Sequence, residues 1–102
     1  MNWVEIQKKY PKCWIKLTNF VGAQHIDSFK YLSKLWRVEL LDFFDENELN
    51  IAILPFFSKW IWKIRYEDMQ FIDGDKKEET RLDAEKAAFL KAFEILECDL
   101  IV

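Results

Sequence analysis

The chain has 102 residues, of which 51% are hydrophobic, and its 15 basic and 18 acidic side chains leave a net charge of −3. This length predicts a single domain over residues 1–102, with enough apolar surface for a core without metals or disulfides. Gly22 and Gly74 are the only glycines and lie far apart, which excludes a Walker loop and a dinucleotide-binding motif. Cys13, His25 and Cys98 include no closely spaced pair, which excludes a zinc site built from Cys and His alone. We expect no cofactor.

The sequence also indicates a location. The first residues contain no apolar signal region, and the longest uncharged apolar run, 51–57, is far shorter than the roughly 20 residues that span a bilayer. We therefore expect a cytoplasmic protein that does not contact membranes and whose distant cysteines stay reduced.

Charge is distributed unevenly along the chain. Residues 1–38 carry seven basic and two acidic side chains, whereas residues 39–58 carry five acidic and no basic ones. The overall pI near 5.2 argues against a general nucleic-acid binder, because such proteins usually have a strongly basic domain. The basic first third could still form a phosphate-binding face, although solubilising surface charge is the simpler interpretation. Its members are Lys8, Lys9, Lys12, Lys16, Lys30, Lys34 and Arg37.

Helices are predicted over the first half of the chain. Asn2 suits a helix N-cap, Pro11 suits the first turn of a second helix or a bend within one, and Gly22 suits a helix end. A further helix is predicted from Asp27 or Ser28 to residue 47, an asparagine that tolerates the left-handed conformation of a helix stop. Because twenty residues is long for one helix, we also consider a break near 35–38.

The apolar spacing then changes from 3.6 to 2. Residues 50–54 are a β-branched run that we expect to end at Pro55, and residues 59–66 alternate between apolar and polar rows. The short connection predicts an antiparallel hairpin, and residues 69–72 suit a third strand. Trp60, Trp62 and Tyr66 share one row; they could stack on nucleic-acid bases, but the strict alternation favours a place in the core.

The C-terminal third of the sequence predicts a turn, a charged segment and a helix, in that order. Residues 73–75 have the composition of a turn, and residues 76–79 suit a loop or an exposed edge. Thr80 is the predicted cap of a helix that runs to about Cys98. Its apolar stripe should pack on the sheet, while the opposite side should be solvated through Glu85, Lys86, Lys91, Glu94 and Glu97.

Aromatic residues supply the first candidate partner site. With 17% aromatic residues and five tryptophans, so small a domain is not expected to bury every ring. Exposed aromatic patches usually mark interaction sites. The candidates are Phe56 and Phe57 at the hairpin tip, and Trp14.

An acidic stripe on the long helix is the second candidate partner site. Glu39, Asp42, Asp45 and Glu46 lie opposite the apolar side of that helix. Such a stripe could imitate a phosphate backbone and occupy a basic groove, although an ordinary solvated helix face is the simpler interpretation. Cys13 and His25 could form a nucleophile and base, but nothing places them together, and we expect no enzymatic activity.

Three segments resemble known sequences. Residues 80–97, T-R-x-x-A-E-x-x-A-F-x-x-A-F-x-x-L-E in this chain, resemble the tail of short uncharacterised proteins encoded by phages and prophages. Residues 41–47 (LDFFDEN) and 6–12 (IQKKYPK) are similar to the same group, which usually has glycine where this chain has Glu48. The resemblance implies an origin in a mobile element and carries no activity with it.

The sequence thus predicts an α+β fold, in which an antiparallel hairpin or three-stranded sheet packs against N-terminal helices and a C-terminal helix. The function that we favour is a non-enzymatic accessory protein of a phage or mobile element that binds a host protein. An inhibitor of a host defence system fits the small size, the acidic charge and the lack of catalytic groups. The alternatives are a nucleic-acid-binding accessory protein that uses the basic first third, and a homo-oligomeric structural component.

Overall fold

The computed structural model describes residues 1–31, 33–66, 70–74 and 76–101. The predicted α+β fold, with a three-stranded antiparallel sheet and helices on both sides of it in the sequence, is confirmed. None of the helices in the described ranges combines the length and the apolar character needed to cross a membrane. In chain order the elements are α1 (Trp3–Lys9), α2 (Pro11–Val21), a short 3₁₀ turn (Ala23–His25), α3 (Ile26–Tyr31), α4 (Ser33–Glu46), β1 (Leu49–Phe56), β2 (Lys59–Tyr66), β3 (Gln70–Asp73) and α5 (Arg81–Ile101).

The first two helices begin and end at the predicted residues. The side-chain oxygen of Asn2 accepts a hydrogen bond from the backbone N–H of Glu5 at 3.1 Å, and Pro11 occupies the first turn of α2. Gly22 ends α2 with φ of 95°, and its N–H donates to the carbonyl of Thr18. This positive φ explains the glycine, since other residues are strained there.

The predicted long helix is replaced by α3 and α4. Residues 35–38 lie inside α4, so the break considered there is wrong; residue 32, between the two helices, lies outside the described residues. The helix stop at residue 47 is also wrong by one position. Asn47 still bonds back to the helix, because its side-chain amide donates to the carbonyl of Phe43 at 2.8 Å, and the left-handed residue is Glu48 with φ of 65°.

β2 is the central strand, with β1 and β3 antiparallel on either side of it. The predicted hairpin is confirmed, since Phe56 opposes Lys59 across a two-residue turn. The end of β1 is not as predicted, because the strand continues through Pro55.

The hydrogen-bonding phase of β2 explains why Pro55 is tolerated. Trp60 exchanges two backbone hydrogen bonds of 2.8 Å with Glu78, on the side of β2 away from β1. Along an antiparallel strand, successive residues direct their backbone N–H and C=O groups to opposite sides. Because Trp60 bonds on the side away from β1, the odd-numbered residues of β2 bond to β1, and their partners on β1 are its even-numbered residues. The nitrogen of Pro55 therefore faces away from β2, where a missing N–H breaks no ladder bond.

The helices cover one face of the sheet, which we call the inner face. Trp62 and Ile64 point into it and are buried, and Trp60 and Tyr66 pack against the same core. The interpretation of this row as core is confirmed. Across the core, Phe44, Phe89 and Phe93 are among the fully buried side chains from α4 and α5, and their rings pack at centroid distances of 5.1–6.4 Å.

Gly74 lets the chain after β3 approach Trp62. A Cβ atom at residue 74 would lie 2.6 Å from the indole nitrogen of that tryptophan, and the N–H of Gly74 donates to its carbonyl at 3.0 Å. The charged segment that follows pairs with β2 at Glu78, so it forms an exposed edge, as considered from the sequence.

α5 begins as predicted and extends further. The hydroxyl of Thr80 accepts from the N–H of Asp83 at 3.1 Å, and the helix continues past Cys98 to Ile101. Of the predicted apolar stripe, residues 88, 89, 92, 93 and 96 are buried and Leu82 is half-buried.

Glu85 and Glu97 of α5, which were predicted to be solvated, are buried, and this corrects the sequence interpretation. Glu97 is 5% exposed and accepts from the backbone N–H groups of Lys12, at 2.7 Å, and Cys13, at 3.1 Å, so it caps the start of α2 from the other end of the chain. Glu85 is 3% exposed and accepts from Arg37 and, at 3.0 Å, from Arg81. Both carboxylates could be buried because each gains donors that replace water.

Candidate interaction surface

The face of the sheet opposite the helices, which we call the outer face, is open. In the cross-strand register, residues directly opposite each other share a face. The apolar members of the outer face include Leu54, which is 41% exposed, and Phe71, which is 59% exposed. The outer face comprises Asn50, Ala52, Leu54 and Phe56 of β1, Lys59, Ile61, Lys63 and Arg65 of β2, and Phe71 and Asp73 of β3.

Basic side chains run along the middle of the outer face. Lys59 pairs with Glu79, and Lys63 lies 3.7 Å from Asp73 across the strands. These are exposed ion pairs, which contribute little to stability and leave the ammonium groups available to a partner. The guanidinium of Arg65 donates to the side-chain oxygen of Asn50 at 2.8 Å.

The hairpin tip adds two aromatic rings to this surface. Phe57 is 92% exposed and has φ of 58°, at the first of the two turn residues. Phe56 is 38% exposed, its ring lies edge-on to that of Phe57 at 4.9 Å between centroids, and the ammonium of Lys77 lies 4.5 Å from its centroid. Both rings are exposed, as predicted for the tip.

Trp14 has different surroundings from the tip. Its ring is half-buried, lies 6.0 Å from that of the buried Trp3, and has the ammonium of Lys30 at 5.6 Å from its centroid. Trp14 therefore borders the core between the N-terminal helices and is separate from the outer face in the fold.

The acidic stripe lies on α4 as predicted. Asp42, Asp45 and Glu46 are exposed and Glu39 is half-buried. Asp45 accepts a hydrogen bond from the side-chain amide of Asn50, which links the stripe to the outer face. The stripe ends beside the start of β1, whereas the aromatic tip lies at the other end of that strand, about 23 Å away at 3.3 Å per residue. The two predicted parts of a contact surface are thus separate patches.

Three members of the basic first third already have partners among the described side chains. Arg37 is paired with the buried Glu85, and hydrogen bonding to that carboxylate raises the pKa of the guanidinium. Lys9 is 2.8 Å from Glu5 within α1, and Lys30 lies over an indole ring. The side chain of Lys34 lies outside what the structure describes.

Cys13 and His25 do not form a reactive pair. Cys13 is fully buried in α2, and its burial, together with the nearby Glu97 carboxylate, raises the pKa of the thiol. The thiolate is the nucleophilic form, so this cysteine is inert. His25 lies in the 3₁₀ turn and is exposed.

Sequence reasoning missed the apolar part of the outer face. The alternation in 59–66 correctly predicted a polar row containing Lys63 and Arg65. It did not predict that Leu54 and Phe71 would join that row, because a short apolar strand does not reveal which side is covered. The even spacing of Ala52, Leu54 and Phe56 was the available signal.

No family model, no curated protein and no solved structure matches this chain.

Proposed function

We propose that this chain is a non-enzymatic accessory protein that acts by binding another protein through the outer face and the hairpin tip. The single observation that carries the proposal is Phe57, a large aromatic side chain that is almost fully exposed in a left-handed backbone conformation.

Phe57 is unfavourable for the isolated fold in two respects. A non-glycine residue in the left-handed region costs about 1–3 kcal/mol, and the first position of a two-residue turn with this φ ordinarily prefers glycine. The exposed ring also gains no burial in the core. A role in binding accounts for both features, because interface anchors are enriched in large rigid side chains that are buried only in the complex.

The surface around Phe57 indicates the chemistry of the partner. Leu54 and Phe56 are the exposed apolar side chains on the tip half of the outer face, Lys63 and Arg65 follow along β2, and Phe71 lies beside Arg65 at the end away from the tip. The surface is therefore apolar at the tip and basic along the middle of the outer face. The partner surface that fits is apolar where it meets the tip and acidic where it meets Lys63 and Arg65.

The biological role that we propose is that of a phage or mobile-element protein that inhibits a host defence system. It rests on the resemblance of residues 6–12, 41–47 and 80–97 to small phage and prophage proteins. An inhibitor needs no catalytic group, because occupying a partner surface is sufficient for its action.

The experiment compares proteins captured from a bacterial host lysate by the immobilised chain and by two variants. Phe57→Ser removes the exposed ring, and Tyr31→Ser is the matched control, because Tyr31 is an 82% exposed aromatic on α3. We expect a host protein that is retained by the wild type and the Tyr31 variant and lost by the Phe57 variant. Retention of nothing, or equal retention by both variants, would refute the proposal.

The outer face also favours a second candidate, binding of single-stranded nucleic acid. Phe71 lies directly opposite Arg65 on an open antiparallel sheet, with Lys63 two residues along β2, and aromatic rings beside basic groups can stack on bases. This function predicts binding to labelled single-stranded DNA or RNA that weakens steeply with salt and is reduced by Phe71→Ala. Binding that is absent or independent of salt would eliminate it.

A further inference from the structure

The edge of β1 that faces away from β2 is open over its middle. Because the even-numbered residues of β1 bond to β2, the N–H and C=O groups of Ile51 and Ile53 point to the free side. Within the described part of the chain, no other backbone group bonds to them. Leu49 is buried, so the free edge begins at Ile51 and ends at Pro55, which has no N–H to satisfy.

Apart from Pro55 at its end, this edge lacks the features that usually prevent strands from pairing. Residues 49–58 contain no charged side chain, and charges on an edge strand are the common protection against pairing with another strand. β3, the other edge, is half as long and ends beside a charged segment. Of the two edges, the one formed by β1 therefore presents a longer, uncharged template for an added strand.

We propose that a second copy of this chain pairs with β1 along its free edge, antiparallel, with Ala52 opposite Ala52 of the second copy. In this register Ile51 and Ile53 exchange all their free N–H and C=O groups with Ile53 and Ile51 of the other copy. Ala52 then occupies the closely spaced, non-hydrogen-bonded position on the twofold axis, where a small exposed side chain fits.

Charge at the two ends of β1 favours a second copy as the occupant. Asp45, Glu46 and Glu48 lie around the start of the strand, whereas its end carries Lys77, over the ring of Phe56, and Lys59, which pairs with Glu79. Antiparallel pairing brings the acidic start of one copy beside Lys77 of the other, twice per dimer. This complementarity favours association and specifies its direction.

The dimer would contain one six-stranded sheet whose outer face stays open, because strand pairing uses only the edge. The inference is thus independent of the proposed binding of a partner protein. If the protein does not dimerise, Phe57→Ser should still abolish capture of the partner. If no partner is captured, the measurements of dimerisation below keep their meaning.

A disulfide across the axis tests the pairing and its register. Non-hydrogen-bonded antiparallel partners have Cα atoms about 4.5 Å apart, within the range that a disulfide bridges. We expect Ala52→Cys in a Cys98→Ser background to form a covalent dimer under mild oxidation. Leu54→Cys in the same background is the matched control, because its two copies would be about 14 Å apart along the strands and should stay monomeric.

Light scattering of full-length protein over a wide concentration range provides the second measurement. We expect the mass of a dimer for the wild type and for Phe71→Lys, which places a charge on the far edge of the outer face. Ala52→Lys, which places two like charges on the axis, should halve the mass while circular dichroism stays unchanged. A wild-type monomer at all concentrations, a dimer that survives Ala52→Lys, or no cross-link at residue 52 would each overturn the proposal.

Discussion

The buried carboxylate of Glu97 offers the sharpest test of how this fold is held together. It joins the last helix to the start of α2 by accepting hydrogen bonds from Lys12 and Cys13, residues that lie more than eighty positions earlier in the chain. Glu97→Gln keeps the shape and one acceptor oxygen, but it removes the negative charge that faces the positive end of α2.

The expected loss follows from these contacts. A hydrogen bond to a charged group contributes about 1.5–3 kcal/mol, and loss of a helix N-cap costs about 0.5–2 kcal/mol. One oxygen of Glu97 accepts from both N–H groups, so the amide oxygen of glutamine can keep these two bonds, and the loss comes from the charge and from the 3.2 Å bond of Lys12 to the other oxygen. We expect Glu97→Gln to lower the free energy of unfolding by about 2 kcal/mol. For a chain of this size that corresponds to a decrease in Tm of roughly 8–16 °C.

Urea denaturation followed by circular dichroism measures the difference. Glu94→Gln is the matched control on the same helix, because Glu94 is exposed and its ion pair with Lys91, at 3.4 Å, contributes about 0.5 kcal/mol or less. Equal midpoints for the two variants at equal m-values would mean that Glu97 contributes no more than a surface charge, which would refute this account.

Three further predictions concern other residues. Arg37→Met should lower the free energy of unfolding, measured in urea, by about 2 kcal/mol, because the buried Glu85 would keep only its bond from Arg81. Adding Glu85→Leu to that variant should recover most of the loss, because no buried carboxylate would remain. Gly74→Ala should lower the free energy of unfolding by about 1–3 kcal/mol and change the near-ultraviolet circular dichroism of tryptophan, because the new Cβ would clash with Trp62. An unchanged spectrum would contradict the close packing of residue 74 on Trp62. Phe57→Gly should raise Tm, because it removes left-handed strain of about 1–3 kcal/mol, and it should abolish partner capture; a lower Tm would show that the ring supports the fold instead.

Local chemistry predicted the elements whose signals lie within a few residues. Asn2, Pro11 and Thr80 act at helix starts, as their side chains require, and the alternation in 59–66 identified the face of β2 that is buried. These features depend on capping geometry and on the two-residue period of a strand, both of which can be read from neighbouring positions.

Two boundaries were wrong because a local preference was outweighed by its surroundings. Proline usually ends a strand, but the nitrogen of Pro55 faces the open edge of β1. Only the alternation of hydrogen bonds between β1 and β2 shows this. Asparagine suits a left-handed stop, but Asn47 bonds to the last turn of α4 and the reversal occurs at Glu48. Glycine is the residue that this conformation ordinarily favours.

The candidate surface was predicted only in part. Composition indicated that some rings would be exposed, and the hairpin placed Phe56 and Phe57 at its tip. The outer face became a surface only when the helices all packed on the other side of the sheet, since an apolar residue such as Leu54 is core or surface according to what covers it.

The sequence by itself therefore determined the α+β class, the order of the elements and the caps, because periodicity and capping are local properties of the chain. The tertiary structure alone decided the roles of Glu85 and Glu97. Their spacing already places them along the buried stripe of α5, four residues before Phe89 and four after Phe93. Whether a carboxylate at such a position is solvated or buried depends on the donors that distant segments bring to it, here Arg37 and the start of α2, and that pairing exists only in the folded chain.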